Sequence, residues 1–260
     1  MDGPIFGLCS VLTLLSTAIA LSRILVRRRL SGNAFRVSRR AHVVALVTSF
    51  IGSLLAIPAV AELADRATTV ELSSLVSDIA AVICCASLQI LIIDWEYRGL
   101  PHDVGIACRI AFVVVVSSLL IWQFGRTDPA RLDLDLSTSY AQSEDVRTYL
   151  LTYLGFFAAA GAEVSMRATK LARAMWRQGR PAGVGLAVAA GGATMGVFYA
   201  LSRGGYVLAY ESGHAWPLAL DNVISPALAG LSIGGIAAGL SMAVLSNSRR
   251  SSALRDSVNV

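Results

Sequence analysis

The sequence predicts an all-α membrane protein, a polytopic bundle of seven transmembrane helices. Of its 260 residues, 55% are hydrophobic, and the mean hydropathy is +0.63. A helix needs about 20 apolar residues to cross a hydrocarbon core of roughly 30 Å. Stretches of that length occur seven times along the chain, at 4–26, 42–64, 72–94, 106–124, 147–167, 183–202 and 221–246.

The basic residues predict the orientation of this bundle. With seven spans, 17 of the 22 lysines and arginines lie on one side, including seven arginines between Arg23 and Arg40. Cytoplasmic loops carry such an excess, so we expect the N-terminus outside and the C-terminus in the cytoplasm. The expected layout is one transmembrane domain over residues 1–247 and a short tail over 248–260. The net charge of +5 then indicates contact with membrane lipid and not with nucleic acid.

Glycine pairs predict how the last two spans pack. The pairs with GxxxG spacing are Gly192 with Gly196, Gly230 with Gly234, and Gly235 with Gly239. This spacing lets helix backbones approach closely in lipid. Packing within the bundle is the favoured interpretation, and a dimer contact is the alternative.

Several functional classes are excluded by missing motifs. Lys170, the only lysine, falls in a predicted cytoplasmic loop, so no retinal Schiff base can form inside the bundle. The chain has no P-loop, HExxH, GxSxG or aspartate-rich diphosphate motif. Asp133 and Asp135 lie in a predicted polar loop, and we interpret them as solvated charges. The four cysteines have no metal-ligand spacing, so we expect neither a metal site nor a cofactor.

Three carboxylates are predicted at similar depth on the outer side of the bundle. Glu62 ends the second span, Asp78 lies roughly 9 Å inside the third, and Asp221 begins the seventh. Pro58 and Pro226 each remove a backbone hydrogen bond beside one of these acids, so we expect kinks there. Asp78 is the sharpest candidate, because a charge inside a span is costly. Glu62 and Asp221 can also reach water from the helix ends.

Aromatic and basic side chains are expected to line the space between these acids. The candidate lining residues are Tyr149, Tyr153, Tyr199, Arg203 and Trp216. The two tyrosines of the fifth span share one helix face with Phe156 and Glu163. Trp216 belongs to a long outer connection, 202–222, whose aromatic residues also fit an interfacial belt.

This arrangement suits general acid catalysis. A carboxylic acid in an apolar surround keeps its proton at neutral pH, especially beside a second acid. Aromatic faces stabilise a developing cation, and another carboxylate can remove a proton at the end. These are the requirements for cyclising a farnesyl-type polyprenyl chain, with Glu62 or Asp78 as the acid and Asp221 as its partner or the terminal base. Asp65, one turn beyond Glu62, is expected to be solvated and inactive.

Three segments carry a resemblance to a known family. They are IPAVAELADRATTVELSSLVSDIAAV, YLLTYLGFFAAAGAEVSMRATKLARAMWR and GLAVAAGGATMGVFYALSR. With them the chain resembles a family of actinobacterial seven-helix membrane proteins described as transporters, and we expect it to lack the cytoplasmic helical domain that many members carry. The resemblance implies a multi-pass protein of the bacterial cytoplasmic membrane, with the outer acids at a ligand mouth.

The acids of the second and last spans carry another resemblance, one of general form. In size and topology the chain is similar to small seven-helix membrane-bound terpene cyclases of the fungal meroterpenoid and bacterial drimentine type. The fungal enzymes depend on an acid in the second helix and another in the last, which Glu62 and Asp221 match by type and order, although the flanking residues differ. This resemblance implies an isoprenoid substrate and a role in secondary metabolism. The leading hypothesis is therefore a terpene cyclase, and the rivals are a small-molecule transporter or sensor and a purely structural partner subunit.

Overall fold

The fold is entirely helical in the computed structural model, which describes residues 2–28, 36–68, 72–96, 100–126, 143–214 and 216–258. Within these ranges there is no strand, and the eight helices are α1 (Asp2–Arg28), α2 (Arg36–Leu55), α3 (Pro58–Thr68), α4 (Leu72–Glu96), α5 (Leu100–Phe124), α6 (Glu144–Arg177), α7 (Ala182–Glu211) and α8 (Leu218–Val258). Six helices are long and apolar enough to cross a membrane, and one bent pair is a seventh candidate. The all-α class is confirmed, and the architecture is compatible with a polytopic membrane protein.

Six of the helices form a closed ring. Going around it, α1, α2, α4, α6, α7 and α8 each contact the next, and α8 returns to α1. Small and branched apolar side chains from five helices fill the centre at one level, among them Ala45, Leu91, Ala168, Ala189 and Leu240. The ring is therefore a packed core at that level.

Helix α5 lies outside the ring, against α4 and α6. Its outward face is strongly apolar, and Val104, Phe112, Val115 and Trp122 are each more than half exposed. A continuous apolar face of this kind is rare on a water-soluble monomer. It is the surface expected of a helix that faces lipid.

Glycines build the contact between α7 and α8, whereas Gly230 packs on Ile5 of α1. A Cβ on Gly192 would lie 2.6 Å from the Ile236 nitrogen, and one on Gly185 would lie 2.5 Å from the Ala243 nitrogen. Only glycine allows backbones this close, as expected for small-residue packing in lipid. The favoured interpretation, packing within the bundle, is confirmed at these positions. Gly234 faces open space.

Replacing Gly192 with alanine should destabilise the protein by about 1–3 kcal/mol, because the new methyl group meets backbone that cannot move aside. The measurement is thermal unfolding of the purified protein in detergent. Gly191→Ala is the matched control, since a Cβ at Gly191 meets nothing within 4 Å. Equal melting temperatures for the two variants would contradict the packing described for this contact.

The prediction of one continuous span over 42–64 is wrong. Helix α2 ends at Leu55, α3 begins at Pro58, and their axes differ by 84°. Proline lacks an N–H and suits the first position of a helix, so Pro58 starts a new helix in a new direction. The kink expected at Pro58 is therefore a full break, and Glu62 sits on a separate short helix.

Other helices extend beyond their predicted ends. Helix α7 continues to Glu211, so Tyr206 and Tyr210 lie on a helix and not in a loop, and Tyr206 is buried. Helix α8 continues through Pro226 as far as Val258, so most of the predicted tail is helical. The loop aspartates Asp133 and Asp135 lie outside the described residues.

Candidate functional site

The predicted acid of the third span has a defined partner. Asp78 lies in the second turn of α4, and Tyr149 in the second turn of α6. The Tyr149 hydroxyl donates a hydrogen bond of 2.7 Å to Asp78 Oδ2, and the Tyr149 side chain is almost fully buried. This bond leaves Oδ1 as the oxygen that can carry a transferable proton.

Aromatic rings continue from this pair towards α7. The Tyr153 and Phe157 rings lie 5.9 Å apart, and Phe157 meets Tyr199 edge-on at the same distance. On the other side, the Phe124 ring lies 6.1 Å from that of Tyr149. Ring pairs at these separations are favourable contacts, so the acid sits beside an aromatic wall made of these two groups of rings.

Asp221 is fully buried in the first turn of α8. The Ser225 hydroxyl, one turn later, donates a hydrogen bond of 3.0 Å to Asp221 Oδ1. The Asp221 charge acts on the hydroxyls of Tyr199 and Tyr206. Asp221 therefore belongs to the same end of the bundle as Asp78.

Arg203 lies one turn after Tyr199 on α7, close to Asp78. Its guanidinium lies within electrostatic range of both the Asp78 carboxyl and the Tyr199 hydroxyl. The Tyr199 hydroxyl is also within electrostatic range of Asp78. The site thus draws on four helices, α4, α6, α7 and α8. Of the predicted residues, it unites Asp78, Tyr149, Tyr153, Tyr199, Arg203 and Asp221.

Trp216 packs just before α8. Its ring meets the Tyr206 ring edge-on, with centroids 5.7 Å apart. It also packs against the apolar cluster that contains Tyr149 and Tyr153. His214, close to it in sequence, is exposed instead. The connection between α7 and α8 therefore contributes Trp216 to the edge of the site.

Glu62 is not brought to this site. Its side chain is 69% exposed and pairs with Arg66, four residues later, at 3.4 Å. The neighbouring Leu63 is also highly exposed. Because α3 turns away from α2 by 84°, the carboxylate points off the bundle instead of into it.

Asp65 has a structural role that the sequence interpretation missed. Its Oδ1 accepts the Ser73 backbone N–H at 2.9 Å, and its Oδ2 accepts the Ser73 hydroxyl at 2.7 Å. These bonds satisfy a donor in the first turn of α4, as a helix cap does. The expectation that Asp65 is merely solvated is wrong, and Glu62 is the better exposed control.

A second polar cluster lies in the other half of the bundle. Glu163 Oε1 accepts hydrogen bonds from Arg109 at 2.5 Å and from Arg167 at 2.9 Å, and Oε2 accepts one from Gln89 at 2.7 Å. Arg167 also reaches Glu96 at 2.6 Å. The four-residue spacing of Glu163 and Arg167 was the one sequence signal for this cluster. The partners on α4 and α5 depend on tertiary packing.

No group of three or more metal-binding side chains occurs among the described residues. The four cysteines are free thiols and form no disulfide. The site around Asp78 is instead a carboxyl–tyrosine pair beside aromatic rings, a buried carboxyl and an arginine, a set of groups suited to moving protons. Comparison with known protein families, characterised proteins and solved structures finds no match for this chain.

Proposed function

We propose that the protein is a membrane-bound terpene cyclase that cyclises a farnesyl-type chain after protonating it. The observation that supports this best is the Asp78 carboxyl, held by Tyr149 beside an aromatic wall, at the same end of the bundle as buried Asp221. A half-buried carboxyl next to polarisable rings is the pairing that alkene protonation requires.

In the proposed reaction, Asp78 gives the proton on Oδ1 to the terminal carbon–carbon double bond. The π electrons of that bond form the new C–H bond and leave a carbocation, and the next double bond attacks it to close a ring. Loss of a proton to Asp221 forms a new double bond and ends the sequence. The product is an isomer of the substrate, and proton exchange with solvent resets both acids.

The remaining residues have supporting roles in this proposal. The faces of Tyr153, Phe157 and Tyr199 stabilise the cation as it moves along the chain. Arg203 holds the head group at the edge of the site, by stacking on the face of an indole ring or by donating hydrogen bonds to an oxygen-bearing group. Trp216 closes that edge against water.

Conversion should not depend on a divalent metal, because the proposed proton comes from a side chain. Membranes containing the protein, given farnesyl-type substrates with and without an indole head group, should form cyclised product equally with and without EDTA. The assay is product formation followed by mass spectrometry. Loss of activity with EDTA and recovery with magnesium would point to diphosphate ionisation and reject the acid mechanism.

We further propose seven spans with the N-terminus outside, the bent α2–α3 pair supplying one of them. Reporter fusions at Asn33 and Gln178 should read cytoplasmic, and one at Ser139 should read external, because most basic residues flank the first two positions. The measurement is paired reporter activity, with one enzyme active only inside and one only outside. An external signal at Asn33 would reverse the orientation.

A small-molecule transporter or sensor is the second candidate, and one observation favours it. Gln89, Arg109 and Glu163 meet deep within the long helices, and α2 and α3 form a broken pair. Transporters place binding groups at such depth and use broken helices. Substrate uptake by proteoliposomes, without chemical conversion, would favour this candidate over the cyclase.

A further inference from the structure

A cavity of about 350 Å³ opens between α4, α5 and α6. It lies in the half of the bundle away from the proposed catalytic acids, since Gln89 on its wall follows Asp78 by about 16 Å along α4. Its volume is within the range of small-molecule sites. No step proposed above uses it.

One end of the cavity is polar, and its charged side chains differ in how many of their hydrogen-bonding groups already have a partner. Glu163 is already satisfied by Arg109, Arg167 and Gln89. Arg109 gives one hydrogen bond to Glu163 within the described structure, while a guanidinium carries five N–H donors. The cavity therefore offers more spare donors from Arg109 than spare acceptor positions from Glu163, whose oxygens already accept three hydrogen bonds.

The rest of the cavity is apolar and opens sideways. The Phe112 and Phe156 rings lie 5.6 Å apart along one wall, next to Ala159. Phe112 and Ala159 are exposed, so the opening is on the outer surface of the helix ring beside α5. That surface is where lipid chains would lie.

We propose that this cavity binds a single-chain amphiphile with an anionic head. A carboxylate or phosphate head accepts hydrogen bonds from the Arg109 guanidinium, whose planar fork matches both groups. The chain follows Phe112 and Phe156 outward into the bilayer. A cationic head is disfavoured because Glu163 is already paired with the positive charges of Arg109 and Arg167. The site uses none of the residues of the proposed cyclase and stands independently of it.

Cys108 makes the binding measurable without any turnover. Its thiol lines the cavity and is exposed, whereas Cys9 and Cys85 are buried and Cys84 is half-buried. The experiment follows maleimide alkylation of Cys108 by mass spectrometry, in full-length protein purified in a neutral maltoside detergent. Dodecanoate and dodecyl phosphate are the probes, and dodecanol is the uncharged control with the same chain.

We expect an anionic probe to slow alkylation of Cys108 and dodecanol to leave it unchanged. Protection by dodecanoate alone identifies a free fatty acid as the source of the head, and protection by dodecyl phosphate, alone or as well, identifies a phosphate headgroup. Arg109→Gln should raise the half-protecting concentration about 10- to 100-fold, the effect of losing one charge-assisted hydrogen bond. Arg126→Gln, an exposed position at the other end of α5, should change nothing.

Ala159→Leu provides a test that leaves the ion pairs intact. The larger side chain fills part of the cavity and should abolish protection, even if Arg109→Gln proves unstable. Equal protection by dodecanol, no protection by either anion, or full protection in the Ala159→Leu variant would each overturn the proposal.

Discussion

Replacing Asp78 with asparagine should lower product formation by about 10²–10⁴-fold, the usual contribution of a general acid. The amide keeps the size of the side chain and can still accept the Tyr149 hydrogen bond through its carbonyl oxygen. It has no acidic proton to give, so the first step of the proposed reaction fails. The measurement is turnover of a farnesyl-type substrate by matched amounts of membrane-inserted protein.

Two further variants make this experiment decisive. Glu62→Gln changes an exposed carboxylate on the same side of the bundle and should leave turnover unchanged. Tyr149→Phe removes the hydrogen bond but keeps the acid, so it should cost less than Asp78→Asn. If Asp78→Asn retains parental turnover while Glu62→Gln loses it, the acid is Glu62, and the assignment made from the geometry is wrong.

Replacing Asp221 with asparagine should also reduce turnover by about 10²–10⁴-fold, because the terminal base is lost. The asparagine carbonyl oxygen can still accept the Ser225 hydrogen bond, so the start of α8 should stay intact. Ser225→Ala is the matched control, since it removes that hydrogen bond and leaves the carboxylate. It should have a much smaller effect than Asp221→Asn.

The double variant Asp78→Asn with Asp221→Asn tests whether the two acids act together. Groups that serve one reaction are strongly non-additive, so the double loss should be smaller than the product of the single losses. The same turnover assay applies, with the amount of folded protein checked by gel filtration. Full activity in Asp221→Asn would make this buried aspartate a structural residue of α8.

The sequence by itself determined the helical class and the number of long apolar segments. Both depend on composition along the chain, because a helix that spans a bilayer needs about 20 apolar residues in a row. It also placed Asp78 and Asp221 at one end of the bundle, because consecutive spans alternate in direction. The glycine spacing predicted close backbone packing within the bundle, and the structure shows that α7 and α8 are the helices that meet there.

The tertiary structure decided which acids face the site, because this depends on the direction in which the helix carrying each acid runs. Glu62 and Asp221 looked alike in sequence, each an acid near a proline at the end of a span. Pro58 begins a new helix turned by 84° and carries Glu62 to the surface, whereas α8 runs through Pro226 and keeps Asp221 buried. A proline removes one backbone hydrogen bond in both cases. Whether the helix then breaks depends on the packing around it.

The partners of polar side chains were likewise set by tertiary packing. Tyr149 was predicted to line the site, but its bond to Asp78 joins residues 71 positions apart. No sequence pattern paired Gln89 or Arg109 with Glu163, and it is the packing of α4 and α5 against α6 that brings both to it. Helical periodicity shows which residues share a face, but the rotation of each helix and the order of its neighbours determine what that face meets.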